Sequence, residues 1–365
     1  MSTTERAPAT TRERAGARQA AGGLRERLRY SENLRTYIPL LVAIIGLSLY
    51  AAANSDLYLT LDNIQVLLSS VAVLGLITVG MTLIMIAGQL DLSVGAAATL
   101  SSVIGAQMIS GGSSTVVAVV AMLLLPMAIG CLVGILVVST GVQPFIVTLG
   151  LLSVLQSISL IQTGQRPISI GFNLSEIDTT IVLGIPLPFW MFVIALLVGS
   201  LILHFSRLGR NAFAVGSNEE AAFLSGVAVG RVKIILFSLN GLLVGLGGLL
   251  LLSRLGAGDA ASGQGLELDA IAAAVIGGAS LLGGRGSMFG TFLGVMLLGV
   301  IANSLTLLDV SSFYQRLVLG LLLMFAVTAT AIAEKRRGSA ESVADVLRRV
   351  TTGRRTMPSG GKEPS

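Results

Sequence analysis

Apolar runs with almost no internal charge occupy most of this 365-residue chain. A helix needs about 17 to 25 apolar residues to cross a bilayer, and most of the runs reach that length. They lie at 37–54, 64–87, 91–110, 115–138, 144–163, 181–204, 233–253, 268–283, 287–305 and 315–333. Charged residues make up only 12% of the chain, about half the proportion in soluble domains. We therefore predict an all-α integral membrane protein with about ten transmembrane helices, of which the short run at 268–283 could be broken or re-entrant.

Basic residues predict the orientation of these spans. Of 24 basic residues, 20 lie before residue 36, after residue 333 or around the polar loop 205–232. Because basic residues concentrate on the cytoplasmic side, both termini and this loop are predicted to be cytoplasmic. We divide the chain into a disordered basic tail (1–35), a transmembrane domain (36–334) and a second cytoplasmic tail (335–365).

The sequence lacks the usual signals of an enzyme. Its single cysteine, Cys131, and single histidine, His204, exclude an internal disulfide and argue against a metal cluster. No phosphate-binding G-x-x-x-x-G-K-[ST] loop is present, so another chain would have to hydrolyse ATP if ATP drives this protein. We expect no catalytic residue, no metal, no cofactor in this chain and no nucleic-acid partner. The nearly charge-free spans also weaken an ion-coupled carrier, which usually needs buried carboxylates.

A short helix is predicted inside the loop 205–232. Ser217 and Glu220 have the spacing of a capping box, Glu219 adds negative charge near the helix start, and Gly226 can end the helix. The helix either packs on its own bundle or docks into a groove of a partner protein. Its predicted docking residues are Ser217, Asn218, Glu219, Glu220, Ala221, Ala222, Phe223 and Gly226.

Two similar segments suggest that the chain contains two related halves. Leu90-Asp91 and Leu268-Asp269 each precede a series of small residues at a predicted helix start. Spans 2–5 and 7–10 are therefore predicted to be inverted repeats, a plan in which solute is handled at the repeat interface. Asp91 and Asp269 cap helices, contact solute or support the pathway, and these roles do not exclude one another. Thr148 bonds either solute or its own backbone. The candidate pathway residues are Asp91, Ser93, Gly95, Thr148, Asp269 and Asn303.

Glycines predict helix breaks and close helix crossings. Gly130/Gly134 and Gly241/Gly245 are spaced one turn apart, as in helices that pack closely. Other glycines interrupt apolar runs and form either flexible turns with an anchoring charge or a gate or ATPase contact. The glycines are Gly88, Gly277, Gly278, Gly283, Gly284 and Gly286, and Arg285 supplies the charge.

Seven segments together carry a family resemblance over about residues 38–330. They are G-Q-L-D-L-S-V-G (88–95), P-F-I-V-T-L-G (144–150), G-Q-R-P (164–167), N-E-E-A-A-F-L-S-G (218–226), E-L-D-A-I-A-A-A (267–274), G-G-R-G-S (283–287) and S-S-F-Y-Q (311–315). In this order they resemble the permease subunits of ribose/xylose/arabinose-type ABC sugar importers. Gln89 departs from the family, which usually has a second glycine there.

This resemblance implies a multi-pass permease of the bacterial inner membrane. Such a subunit would pair with an identical or sister permease and receive a monosaccharide from an extracytoplasmic binding protein. Two cytoplasmic ABC ATPases would bind ATP and Mg²⁺, and the helix at 217–226 would couple to them. Membrane lipid would surround the domain. A stand-alone ion-coupled secondary transporter, an ABC permease for branched-chain amino acids or another small solute, and a membrane enzyme or scaffold remain as alternatives.

Overall fold

The computed structural model describes residues 37–311, 313–315, 317–318, 320–321, 324–325 and 328. The predicted tails 1–35 and 335–365 lie outside these residues, as does most of the predicted span 315–333. Up to residue 311 the helices are α1 (Tyr37–Asn54), α2 (Leu61–Ile86), α3 (Val94–Ser110), α4 (Thr115–Thr140), α5 (Pro144–Thr163), α6 (Ser175–Thr179), α7 (Leu187–Phe205), α8 (Arg207–Ser217), α9 (Glu219–Leu224), α10 (Val229–Leu255), α11 (Leu266–Ile276) and α12 (Met288–Leu307).

Seven of these helices, α1, α2, α4, α5, α7, α10 and α12, are long and apolar enough to cross a membrane. The predicted class, an all-α integral membrane protein, is therefore confirmed. The other two predicted spans in the fully described part of the chain form shorter helices, since α3 has 17 residues and α11 has 11. Each of these short helices follows a non-helical segment that separates it from the preceding long helix.

In the described part of the chain, four two-residue strands lie in the connections between helices. β1 (Ile168–Ser169) pairs antiparallel with β4 (Ala257–Gly258), and β2 (Ile181–Val182) forms a hairpin with β3 (Ile185–Pro186). The predicted span 181–204 is therefore wrong at its start, because residues 181–186 form this hairpin and α7 begins at Leu187.

The centre of the bundle is formed by α2 and α10. In an apolar stretch of 18 residues in each helix, 78% of the residues of α2 and 61% of those of α10 are buried, against 6% in α1 and 17% in α5. The outer helices instead expose apolar side chains, such as Ile161 on α5 with 77% of its surface accessible, which suits contact with hydrocarbon. The polar side chains of Asn240 and Ser253 on α10 are thus held inside the bundle.

The glycine pairs predicted to permit close packing meet each other at the crossing of α4 and α10. A Cβ added at Gly130 would overlap the carbonyl oxygen of Phe237, and one added at Gly241 would overlap that of Pro126. Backbone therefore rests directly on backbone, as the small-residue spacing predicts. This contact fixes α10 against α4 along two helical turns.

Candidate functional site

Asp91 anchors a break between α2 and α3. Helix α2 ends at Ile86, and the non-helical residues 87–93 lead into α3. The Asp91 side chain is 4% exposed. Its Oδ1 accepts hydrogen bonds from the Ser93 backbone N–H (2.9 Å) and hydroxyl (2.6 Å), and its Oδ2 accepts one from Asn240 Nδ2 on α10 (2.9 Å). Asp91 therefore shapes the turn and ties it to the centre of the bundle.

Asp91 does not occupy the N-cap position that was one of the predictions for it. The N-cap residue of α3 is Ser93, whose side chain makes no capping bond. The other predicted residue of this region, Thr148 on α5, donates its hydroxyl to the carbonyl of Pro144 (2.9 Å) and accepts from the backbone N–H of Leu92 (3.1 Å). Thr148 thus bonds its own backbone, as one of its two predictions stated, and also holds the α2–α3 break.

The α2–α3 break lies at mid-height in the bundle. Asn240 is the twelfth residue of α10, about 16 Å along the axis from its first residue. Gly80, about 9 Å before the end of α2, packs so closely on Asn240 that an added Cβ would lie 2.5 Å from its Oδ1. Because Asp91 bonds Asn240 at this height, residues 87–93 must fold back into the bundle before α3 begins.

The first turns of α3 and α11 lie close to each other. The backbone N–H of Gly263 donates to Thr99 Oγ1 (3.0 Å), and a Cβ added at Gly95 would overlap both the Gly263 carbonyl and the Glu267 carboxylate. Gly95, a predicted pathway residue, is therefore the point where the two short helices approach each other. Helix starts carry partial positive charge, which suits the Glu267 carboxylate beside the first turn of α3.

Asp269 and Asn303, also predicted for the pathway, lie elsewhere, among α2, α11 and α12. Asp269 lines a small cavity of about 120 Å³ with Ser70 and Leu298. It is the fourth residue of α11, whose N-cap is Gly265, so the capping prediction for Asp269 is wrong. Asn303 exchanges side-chain hydrogen bonds of 2.8 and 3.2 Å with Asn63 on α2.

Three backbones meet at a glycine junction that contains Gly88, Gly216, Gly283 and Gly284. Gly216 belongs to α8, and an added Cβ there would overlap the Ile86 carbonyl and lie 2.6 Å from Gly284 N. A Cβ at Gly283, whose φ is +90°, would lie 2.8 Å from the Cα of Gly88. The hydrogen bond from Gly284 N–H to the Ile86 carbonyl (2.9 Å) closes the contact. The predicted break residues Gly88, Gly283 and Gly284 are thus brought together.

The other predicted break residues surround this junction or lie beyond it. Gly277 ends α11 and packs on α12, where added Cβ atoms at Gly277 and Gly290 would overlap each other's carbonyl oxygens. Gly278 has a φ of +93° in the turn that follows. A Cβ at Gly286 would lie 2.8 Å from Ile86 Cγ1. Arg285 is exposed, and its carbonyl accepts from the Ser280 N–H (3.1 Å).

Two helices, α8 and α9, occupy the loop for which one short helix was predicted. Ser217 is the last residue of α8 and donates its hydroxyl to the Phe213 carbonyl (2.7 Å), so the predicted capping box of Ser217 and Glu220 is wrong. Asn218 caps α9 instead, because its extended backbone lets Oδ1 accept from the Ala221 N–H (2.8 Å). Gly226 follows the helix with φ +83°, as predicted for a left-handed terminus.

The α9 helix presents an apolar surface outward and is fastened on one side. Phe223 and Leu224 are 67% and 79% exposed, while Ala222 is buried. Glu219 pairs with Lys233 on α10 through both carboxylate oxygens, at 2.7 and 2.8 Å from Nζ. Two neighbouring apolar side chains of α9 are therefore exposed beside the Glu219–Lys233 ion pair.

A cleft of about 420 Å³ lies between α9 and the α2–α3 break. Gln89, Gly141, Pro144, Glu219 and Lys233 are among its lining residues. Gln89 is 5% exposed and its Oε1 has no hydrogen-bond partner within the described residues. Searched over the same residues, no group of three or more His, Cys, Asp or Glu side chains could hold a metal ion.

Sequence reasoning missed four residues of this site: Asn240, Lys233, Gly216 and Glu267. A local signal existed for Asn240, because a polar residue inside an apolar span is costly and usually has a role. The others depend on contacts with residues distant in the sequence, such as Glu267 with Gly95.

Comparison with known proteins finds relatives that are permease components of transport systems. A family model described as a branched-chain amino acid transport system permease component matches residues 63–327. The ribose import permease protein of Haemophilus influenzae is 38% identical over 300 residues, which cover 81% of this chain and 92% of that protein. Its counterpart in Bacillus subtilis is 41% identical over 268 residues, 73% of this chain and 83% of that protein.

Other sugars occur among the relatives as well. The L-arabinose ABC transporter permease protein of Azospirillum brasilense is 34% identical over 289 residues, 78% of this chain and 85% of that protein. No solved structure matches the chain. On the extent of the family match and of these alignments, the chain belongs to the family of multi-pass membrane permease components of transport systems.

Proposed function

We propose that this protein is the transmembrane subunit of an ABC importer and forms the pathway for a monosaccharide. The observation that carries this proposal is the similarity, over about four fifths of the chain, to permeases named for ribose import. The described part of the chain adds a helix, α9, that is placed and exposed as a docking element would be. In this proposal separate ATPase subunits bind ATP and Mg²⁺, and the chain has no enzymatic activity or cofactor of its own.

Ten spans in two inverted repeats are part of the proposal. Seven helices have membrane length, and α3, α11 and the run 315–333 would supply the other three. Spans 2–5 would correspond to α2–α5, and spans 7–10 to α10, α11, α12 and the last run. The support is that the second helix of each set is short and starts beside the other, at Gly95 and Glu267, as in transporters with broken helices near the midplane.

The end of the bundle that carries α8 and α9 would face the cytoplasm, together with both termini. Its support is the concentration of basic residues in both tails and around residues 205–232. The α9 helix would dock in a groove of the ATPase through Phe223 and Leu224, with Glu220 at the rim. A second permease subunit, identical or related, would complete the pathway, and an extracytoplasmic binding protein would deliver the sugar at the opposite end.

The mechanism that fits this geometry is alternating access. ATP-driven closure of the ATPases would move α9 and α8, and the glycine junction would pass the motion to the end of α2. The α2–α3 break, which is tied to α10 by the hydrogen bond between Asp91 and Asn240, would then move together with α10. Solute would cross beside the first turns of α3 and α11, where backbone groups and Glu267 can hydrogen-bond to hydroxyl groups.

Reconstitution into liposomes tests the proposal. We expect uptake of labelled ribose, arabinose or allose only when the chain is combined with a binding protein, an ABC ATPase and internal ATP. Uptake of leucine under the same conditions would favour the amino-acid permease that the family description names. Uphill uptake by the chain alone, driven by a proton or sodium gradient, would contradict the proposal.

A further inference from the structure

Lys233 lies at the base of α9 and is partly buried. Its side chain is 12% exposed, whereas that of its partner Glu219 is 55% exposed. The two carboxylate oxygens of Glu219 lie 2.7 and 2.8 Å from Nζ. Within the described residues Lys233 Nζ makes no other hydrogen bond, so this ion pair is a side-chain contact that joins the first turn of α9 to α10.

Lys233 and Asn240 lie on the same face of α10. They are seven residues apart, which is almost two turns of an α-helix, so their side chains point in nearly the same direction about 10 Å apart along the axis. Neither glycine nor proline lies between them, and both belong to the uninterrupted helix α10. One continuous helical segment therefore carries the contact with α9 at one point and the contact with Asp91 two turns later.

The α2–α3 break runs beside this face. Gly88 and Gln89 line the same cleft as Lys233 and Glu219, and Asp91 follows two residues later at Asn240. The cleft separates the break from α9, and its lining gives no direct hydrogen bond between them in the described residues. Besides the glycine junction, which connects α8 to Gly88, a route of firm contacts from α9 to Asp91 passes through α10.

We infer that Lys233 is a positioning residue that transmits displacement of α9 to the α2–α3 break. The ion pair with Glu219 fastens α9 to α10, and the Asn240–Asp91 hydrogen bond fastens the break to the same face. Movement of α9 is then delivered at Asp91 rather than absorbed by the connection between α9 and α10. This inference rests on the proposed function for the source of the movement, since an ATPase would supply it.

The test compares Lys233→Gln, Glu219→Gln, the double variant and Lys233→Arg in liposomes that contain the complete importer. Arg231→Gln is the matched control, because it removes an exposed positive charge from the same helical turn. The quantity measured is ATP hydrolysed per sugar imported, which a purely stabilising contact would not change. We expect each single Gln variant to raise this ratio about fivefold, the double variant to match the single ones, and Lys233→Arg to stay near wild type. Ratios equal to that of Arg231→Gln, or additive effects, would overturn the inference.

A second measurement separates this inference from the proposed function. Hydrogen exchange of the isolated full-length chain needs no ATPase and reports on the backbone N–H groups of residues 89–93, which are hydrogen-bonded at Gln89, Leu92 and Ser93. We expect Lys233→Gln, but not Arg231→Gln, to speed their exchange about fivefold. Equal exchange in both variants would overturn the link. If Lys233→Gln speeds exchange but the chain never assembles with an ATPase, the link within the chain holds and the proposed function is contradicted.

Discussion

Asn240 donates its side-chain amide to Asp91 across 2.9 Å, while the carbonyl oxygen of the same amide has no hydrogen-bond partner in the described residues. In this pair only the NH₂ group of the Asn240 amide is hydrogen-bonded within the described residues, and its oxygen is not. Because an amide can turn over and exchange its oxygen and nitrogen, Asn240 can also serve as the acceptor of this bond. The identity of residue 91 then decides which orientation is used.

This relationship predicts different results for two substitutions of Asp91. In Asp91→Asn, the new side-chain NH₂ can donate to a turned-over Asn240, and its oxygen can still accept from Ser93. In Asp91→Ala, the buried donors of Asn240 and Ser93 lose their acceptor, which costs about 1–3 kcal/mol for each unsatisfied group. We expect the alanine variant to lower the thermal unfolding midpoint in detergent by more than the asparagine variant does. Equal midpoints for the two variants would contradict this account of the break.

The glycine junction predicts that Gly216 does not tolerate a methyl group. A Cβ there would overlap the carbonyl oxygen of Ile86 and lie 2.6 Å from the backbone nitrogen of Gly284. Both neighbours are backbone atoms, so they cannot rotate away, and overpacking of this kind costs about 1–3 kcal/mol. We expect Gly216→Ala to lower the unfolding midpoint and the yield of folded protein.

Gly150→Ala is the control for this substitution. Gly150 also lies in a helix, but no atom is found within 4 Å of an added Cβ. Alanine has the better helix propensity, so Gly150→Ala should leave the midpoint unchanged or raise it slightly. A midpoint for Gly216→Ala as high as that of this control would show that the three backbones are further apart than described.

The long helices could be predicted from the sequence because the thickness and apolar character of the bilayer set the length and polarity of a span. The run 115–138, for example, became α4 with nearly the same bounds. Helix α8 was missed, because an 11-residue amphipathic helix in a polar loop has no apolar run to identify it. The N-cap of α9 was predicted at Ser217 instead of Asn218, because the choice between two neighbouring capping residues depends on where the preceding helix ends.

Contacts between distant residues account for the rest of what the sequence did not predict. The motif around Asp91 was recognised, but its partner Asn240 is 149 residues away. The similarity of the segments at Asp91 and Asp269 suggested equal roles. Asp269, however, lines a small cavity together with residues of α2 and α12. In that segment Glu267, two residues earlier, approaches α3. Local patterns placed both helix starts, but side-chain direction was set by tertiary packing.

Gly95 is predicted to control the approach of α3 to α11. A Cβ there would overlap the carboxylate of Glu267 and the carbonyl of Gly263, so Gly95→Ala should separate the two helix starts and reduce sugar uptake. Removing the carboxylate relieves one of the two overlaps. The combined effect of Gly95→Ala and Glu267→Ala on the unfolding free energy should therefore be smaller than the sum of the single effects, by about 0.5–3 kcal/mol. Strict additivity would show that the two residues are not in contact.

Phe223 is predicted to contribute to ATPase binding and not to the fold. Its side chain is 67% exposed on α9, so Phe223→Ala removes few internal contacts and should leave the unfolding midpoint unchanged. A central aromatic residue in a docked interface can contribute about 2 kcal/mol or more to binding, which corresponds to a loss of affinity of about 30-fold. Phe172→Ala is the control, because Phe172 is 93% exposed in the connection between β1 and α6, away from α9. Titration of the purified ATPase onto each variant in nanodiscs measures the affinities, and equal affinities for the Phe223 and Phe172 variants would rule out α9 as the docking element.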